Sequence, residues 1–177
     1  MAEDPSRLLV SWMKVIFLTA LVVLATREFV FEPVEVHGKS MMPTFQEDDK
    51  ILLAKITSIE NFDLIVFSVS DDKNYLKRVI GIPGDRVEIK DDQLYLNGEQ
   101  IEEPYLEQNR KIAELLGYPQ LTEDFAETTV PSDTYFVLGD NRLNSVDSRM
   151  LGFILSDAVI GEVKFRLSPV EHIGIVK

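Results

Sequence analysis

The chain has no cysteine, which excludes disulfides, thiol nucleophiles and thiolate zinc sites. It has two histidines, His37 and His172, too few for a multi-histidine metal centre. Basic residues are also scarce: 18 Lys and Arg stand against 30 Asp and Glu, a formal net charge of -12. Nucleic-acid binding draws on clustered Lys and Arg, so no nucleic-acid partner is expected. The acidic pairs Asp48-Asp49, Asp71-Asp72 and Asp91-Asp92 lack the spaced ligands of a Ca²⁺ loop and read as solvated turns, with no metal and no cofactor expected. No internal repeat or low-complexity tract is apparent.

What is present is unevenly distributed. Mean hydropathy is +0.01 although 27% of residues are charged, because apolar residues gather near the N-terminus. From Leu8 to Phe31 the chain reads "LLVSWMKVIFLTALVVLATREFVF", with an uncharged centre of 12 residues from Val15 to Thr26. A centre of that length is the size of a signal-peptide core, and Val23 and Ala25 would suit a cleavage site. Against this, apolar residues continue before Lys14 and after Arg27, and both cations can snorkel. Residues 8–31 are therefore expected to be a retained transmembrane anchor behind a short cytoplasmic tail, residues 1–7. Arg7 and Lys14 put the N-terminus inside and the rest extracytoplasmic.

Residues 32–177 show short alternating runs broken by turn residues, which predicts a mostly β, antiparallel domain. "RVEIK" from Arg86 and "QLYLN" from Gln93 form a hairpin across Asp91-Asp92, and Asn97-Gly98 is a second tight turn. "FDLIVFSV" from Phe62, "YLKRVIGI" from Tyr75 and "TYFVLGD" from Thr134 are strand candidates. Residues of about 102–130, with Pro104 and Pro119, read as a small insertion carrying one short helix near "NRKIAELLGY".

Three stretches carry candidate chemistry. In "HGKSMMPTF", Ser40 can serve as a nucleophile only if a base takes its proton. His37 is three residues away, and on an extended strand that spacing points it to the opposite face. Gly38 would leave space for an approaching backbone. In "YLKRVIGIPGDRVEI", Lys77 lies among apolar neighbours. If buried, its amine loses its preference for charge and can act as a base; if on the outer face of a strand, it is an ordinary solvated lysine. "GDNRLNSVDSR" from Gly139 packs two Asp and two Arg after an apolar strand. It is either a solvated turn or an ionic network around a site.

Together, "SMMPT" from Ser40, "KRVIGIPGD" from Lys77 and "GDNRLNSVDSR" from Gly139, in that order after an N-terminal span, resemble the bacterial type I signal peptidases of the Gram-positive kind. The resemblance implies a signal-peptidase β fold with a Ser/Lys dyad. Ser40 would be the nucleophile and Lys77 the neutral general base, with Ser145 orienting Lys77. Arg78 with Asp140, and Asp147 with Arg149, would be bracing ion pairs. The position two residues before the nucleophile, a serine in Gram-negative relatives, is Gly38, which leaves the Ser40 amide as oxyanion donor. Phe45 replaces a usual aliphatic residue.

The implied reaction is removal of N-terminal signal peptides from secretory preproteins through an acyl-enzyme. The substrate would lie extended beside Val34 to His37 and Leu76, near Met41. Its partners would be preproteins and membrane lipid. Two other readings are a Ser/Lys self-cleaving peptidase of the repressor type, which lacks a span, and a membrane-tethered binding domain, for which Ser40→Ala is silent.

Overall fold

A computed structural model describes residues 5–29, 31–55, 57–70 and 72–176. The first helix, α1, covers Pro5–Phe29. Its exposed apolar side chains include Leu9, Trp12, Ile16 and Phe17. Among the described residues no helix is long and apolar enough to cross a membrane. Of the expected span over 8–31, the side chains of Leu8, Val22 and residues 24–30 lie outside the described residues.

The rest is antiparallel β structure, as its alternating pattern predicts. The strands are β1 Phe31–Glu35, β2 Lys50–Ala54, β3 Leu64–Ser70, β4 Lys73–Gly81, β5 Arg86–Lys90, β6 Gln93–Leu96 and β7 Glu99–Ile101. After helix α2, Glu107–Leu115, come β8 Phe125–Thr129, β9 Thr134–Leu138, helix α3 Ser148–Leu151, β10 Ile154–Leu155, β11 Val159–Ser168 and β12 Gly174–Ile175. The larger sheet runs β1-β2-β11-β3-β4-β9-β10, with β12 beside β11; the smaller runs β7-β6-β5-β8. Asp91 and Asp92 both have positive φ, as do Asn97 and Gly98, the geometry that suits two-residue hairpin turns. The expected hairpins stand where the sequence put them.

Core residues divide along the sheets. Met41, Phe45, Ile51, Leu53, Val66 and Val163 pack together beneath β1 and β2, while Ile80, Val87, Ile89, Leu94 and Phe136 join the two sheets. The burial of β4 rises from exposed Lys73 to fully buried Val79 and Ile80. Lys77 therefore sits where the strand enters the core.

One consequence of topology sets up the site. β1 ends the larger sheet, and β4 pairs with β9 only from Arg78 onward. Both β1 and the Lys73–Lys77 half of β4 thus keep one open edge, and a hollow lined by Pro33, Val34, His37, Asn74 and Leu76 lies between them.

Candidate active site

Ser40 lies past β1, in a turn closed by Met42 N donating to Lys39 O at 3.2 Å and Phe45 N donating to Met41 O at 2.9 Å. Met41 and Phe45 are buried and plug this turn into the core. Phe45 also carries the Arg166 guanidinium over its ring at 4.4 Å, which gives the aromatic residue a structural part in holding the turn. Gly38 has φ +88, and a Cβ there would meet nothing within 4 Å. The residue is glycine because the backbone turns left-handed, and the space beside it is open.

Lys77 is 2% exposed. Its Nζ donates to Ser40 Oγ at 2.7 Å and to Leu76 O at 3.0 Å, and lies 4.9 Å from the Tyr75 ring centroid. Burial pulls the amine down from 10.5 to about 8, while Asp147 and Asp140 draw it partly back. A lysine so placed is neutral for an appreciable fraction of molecules near neutral pH, and only a neutral amine can accept a proton. With Lys77 neutral, the same contact serves with the Ser40 hydroxyl donating.

His37 is exposed, and Lys77 is the residue that reaches Ser40. The expected reason for setting His37 aside does not hold, because β1 stops at Glu35 and strand alternation does not extend across the turn. His37 instead gathers with Glu35 and Asp48, their ligand atoms all within 4.8 Å of one another. These exposed side chains are a set that could hold a cation, which the sequence did not suggest.

The third motif forms the floor. Arg78 Nε and Nη2 donate to the Asp140 carboxylate at 3.0 and 2.8 Å, both side chains buried. Thr44 donates to the same carboxylate, linking it to the Ser40 turn. Asn141 N donates to Ser40 O at 2.9 Å, and Asn141 Nδ2 to Lys39 O at 3.0 Å. Asp147 accepts from Gly139 N at 3.0 Å and from Arg149 Nε and Nη2, each at 2.8 Å. Burial alone would raise the Asp147 carboxyl, but Arg149 and the Gly139 amide hold it below the ordinary value. The dense polar loop is thus an ionic network and not a solvated turn.

Ser145 is half-buried; its Oγ makes no hydrogen bond to Lys77 and instead faces Asp147, whose carboxyl it helps to hold low. The bond to Lys77 that the resemblance implies is therefore not made here. Its place is nonetheless central. A Cβ on Gly139 would collide with Ser145 Oγ, fall 2.6 Å from Ser145 Cβ and 2.7 Å from Ser40 O.

A cavity of about 270 Å³ opens on Ser40 and Lys77, lined also by His37, Met41, Tyr75, Leu76 and Val146. Of the expected substrate-binding residues, Val34, His37 and Leu76 line this cavity or the hollow continuing from it. Met41 borders it but is 2% exposed, its side chain belonging chiefly to the core. Sequence reasoning missed Arg142, buried between Gly139 O, Thr122 and Glu103. It also missed Tyr105, whose ring lies 4.0 Å from the Arg78 guanidinium, and Asn109. Arg142 stood inside a motif already singled out; nothing in the sequence marked Tyr105 or Asn109.

The family model described as signal peptidase, peptidase S26, matches residues 9–168. The chain belongs to this family. It is a family of serine endopeptidases, and similarity to its members spans most of the chain. Signal peptidase I T of Bacillus subtilis is 42% identical over 174 residues, 95% of this chain and 90% of the relative. A signal peptidase I of Bacillus caldolyticus is 43% identical over 160 residues, covering 86% and 88%. In three dimensions the chain is similar to a crystal structure of a signal peptidase I from Enterococcus faecalis, with TM-score 0.55 and 38% identity, over 60% of this chain and 97% of that one.

Proposed function

We propose that this peptidase removes N-terminal signal peptides from secretory preproteins, with Ser40 as nucleophile and Lys77 as general base. The observation that carries the reading is the 2.7 Å contact between Lys77 Nζ and Ser40 Oγ at an amine whose burial lowers its pKa to about 8. Ser40 Oγ attacks the scissile carbonyl as its proton passes to neutral Lys77. The Ser40 amide donates to the oxyanion, and with Gly38 no side-chain hydroxyl assists from that position. Lys77 then gives its proton to the leaving amine, leaving an acyl-enzyme. Water, deprotonated by the same lysine, releases the signal peptide with a new carboxylate.

The open edges of β1 and β4 suit an extended substrate that pairs through its backbone, with small side chains next to the cut fitting the shallow cavity. We assign α1 the role of a retained anchor, N-terminus inside, which places residues 32–177 outside the cytoplasm. Its exposed apolar side chains and the cations Lys14 and Arg27 support that assignment. The deciding experiment is cleavage of a synthetic preprotein in detergent by the wild type and Ser40→Ala. Cleavage at the signal junction by the wild type alone is the expected result; equal cleavage by both overturns the reading.

A further inference from the structure

The segment taken from sequence as an insertion reaches the site through one side chain. Asn109 on α2 is buried with Leu106 and Ala113, on the face of the helix turned inward. Its Nδ2 donates to Met42 O at 2.8 Å and to Asp140 O at 2.7 Å. Both amide hydrogens are thereby used, and both go to carbonyls that only a donor can satisfy.

The two acceptors belong to the two halves of the site. Met42 lies two residues beyond Ser40 in the turn that carries it. Asp140 grips Arg78, the residue after Lys77 on β4, and its neighbour Asn141 holds Ser40 O. We infer that Asn109 is a positioning residue: by joining Met42 O to Asp140 O it fixes the distance between Ser40 and Lys77. The helix has other ties: Leu106, Ala113 and Leu121 form an apolar cluster within the insertion, and Arg110 Nη1 donates to the Asp92 carboxylate at 2.9 Å. The amide is therefore a separate link, spent on the site.

The inference rests on the Ser40/Lys77 reading, and its test keeps the two apart. Preprotein cleavage is measured from pH 6 to 10 for the wild type, Ser40→Ala, Asn109→Ala, Asn109→Asp and Ala113→Gly, with thermal melts for each. Asn109→Asp keeps the shape but turns a donor into an acceptor facing two carbonyls. Ala113→Gly loosens the same helix without touching the link. Expected for both Asn109 variants is a kcat lower by roughly 10- to 100-fold with KM within about twofold, as for a misaligned base. The acid limb of the pH profile should also move up by about half a unit or more as water reaches the amine. Ala113→Gly should lower the melting temperature and leave the acid limb in place. Stability itself varies with pH, so each rate is divided by the folded fraction measured at the same pH; after that correction a merely structural role predicts no shift.

If the acid limb stays put in both Asn109 variants, or if both fail to fold, the residue serves folding alone and the inference is overturned. If Ser40→Ala cleaves as the wild type does, it is the underlying reading that fails.

Discussion

At the scale of single residues, the proposed mechanism puts the most consequential chemistry on Lys77. Its amine at about 8 must be neutral to work, so the cleavage rate is expected to rise as pH passes from 7 to 9 and then level off. Lys77→Arg keeps its charge at every accessible pH and is expected to lose about 10²- to 10⁴-fold in kcat, the range of a general base. A wild-type rate that climbs only near the value of a free lysine would remove Lys77 from the role. The same depression bears on stability. The folded amine titrates near 8 and the unfolded one at 10.5, so across that window the unfolded chain binds more protons and stability rises with pH. Below it the protonated lysine costs the folded state about 3 kcal/mol. Lys77→Met is therefore expected to be the more stable protein in urea at pH 7, with the gap narrowing by pH 10. Ser40 and Lys77 were legible because their motifs are short and ordered; that Lys77 is buried was not, since an apolar run suits either face of a strand until the sheet is known.

At the scale of elements, the loop after β9 and the short helices work as one brace. Gly139 is its tightest point, where an added Cβ would crowd Ser145 and Ser40 O. Gly139→Ala is expected to be folded but nearly inactive, read as a kcat loss at normal substrate affinity, because relief of the clash displaces the nucleophile. Asp140→Ala leaves the Arg78 guanidinium buried without its carboxylate. It is expected to cost about 3–5 kcal/mol in denaturant unfolding, the scale of a broken buried ion pair. The strands and hairpins could be read from alternation and from Asp91-Asp92 and Asn97-Gly98, since these signals are local. The part played by Glu103, Tyr105 and Asn109 could not. They act on residues 27 to 67 positions away in the chain, and nothing in residues 102–130 announces contact with a distant turn.

At the scale of the whole molecule, the proposed reading gives recognition and chemistry to the β portion and location to α1. A chain beginning at Glu32 is expected to cleave a short peptide within about tenfold of the full protein while losing its flotation with lipid vesicles, since among the described residues none of α1 lines the cavity. Complete loss of cleavage in a chain that melts cooperatively would give α1 a part in the chemistry. The open edges of β1 and β4 have a consequence for turnover. Pairing through the backbone reads little of a peptide beyond its small side chains, and a severed signal peptide keeps those residues next to its new carboxylate. If substrate pairs there as proposed, spent product competes with fresh preprotein for the same groove, and cleavage is expected to slow as fragments accumulate unless the membrane or another protease carries them away.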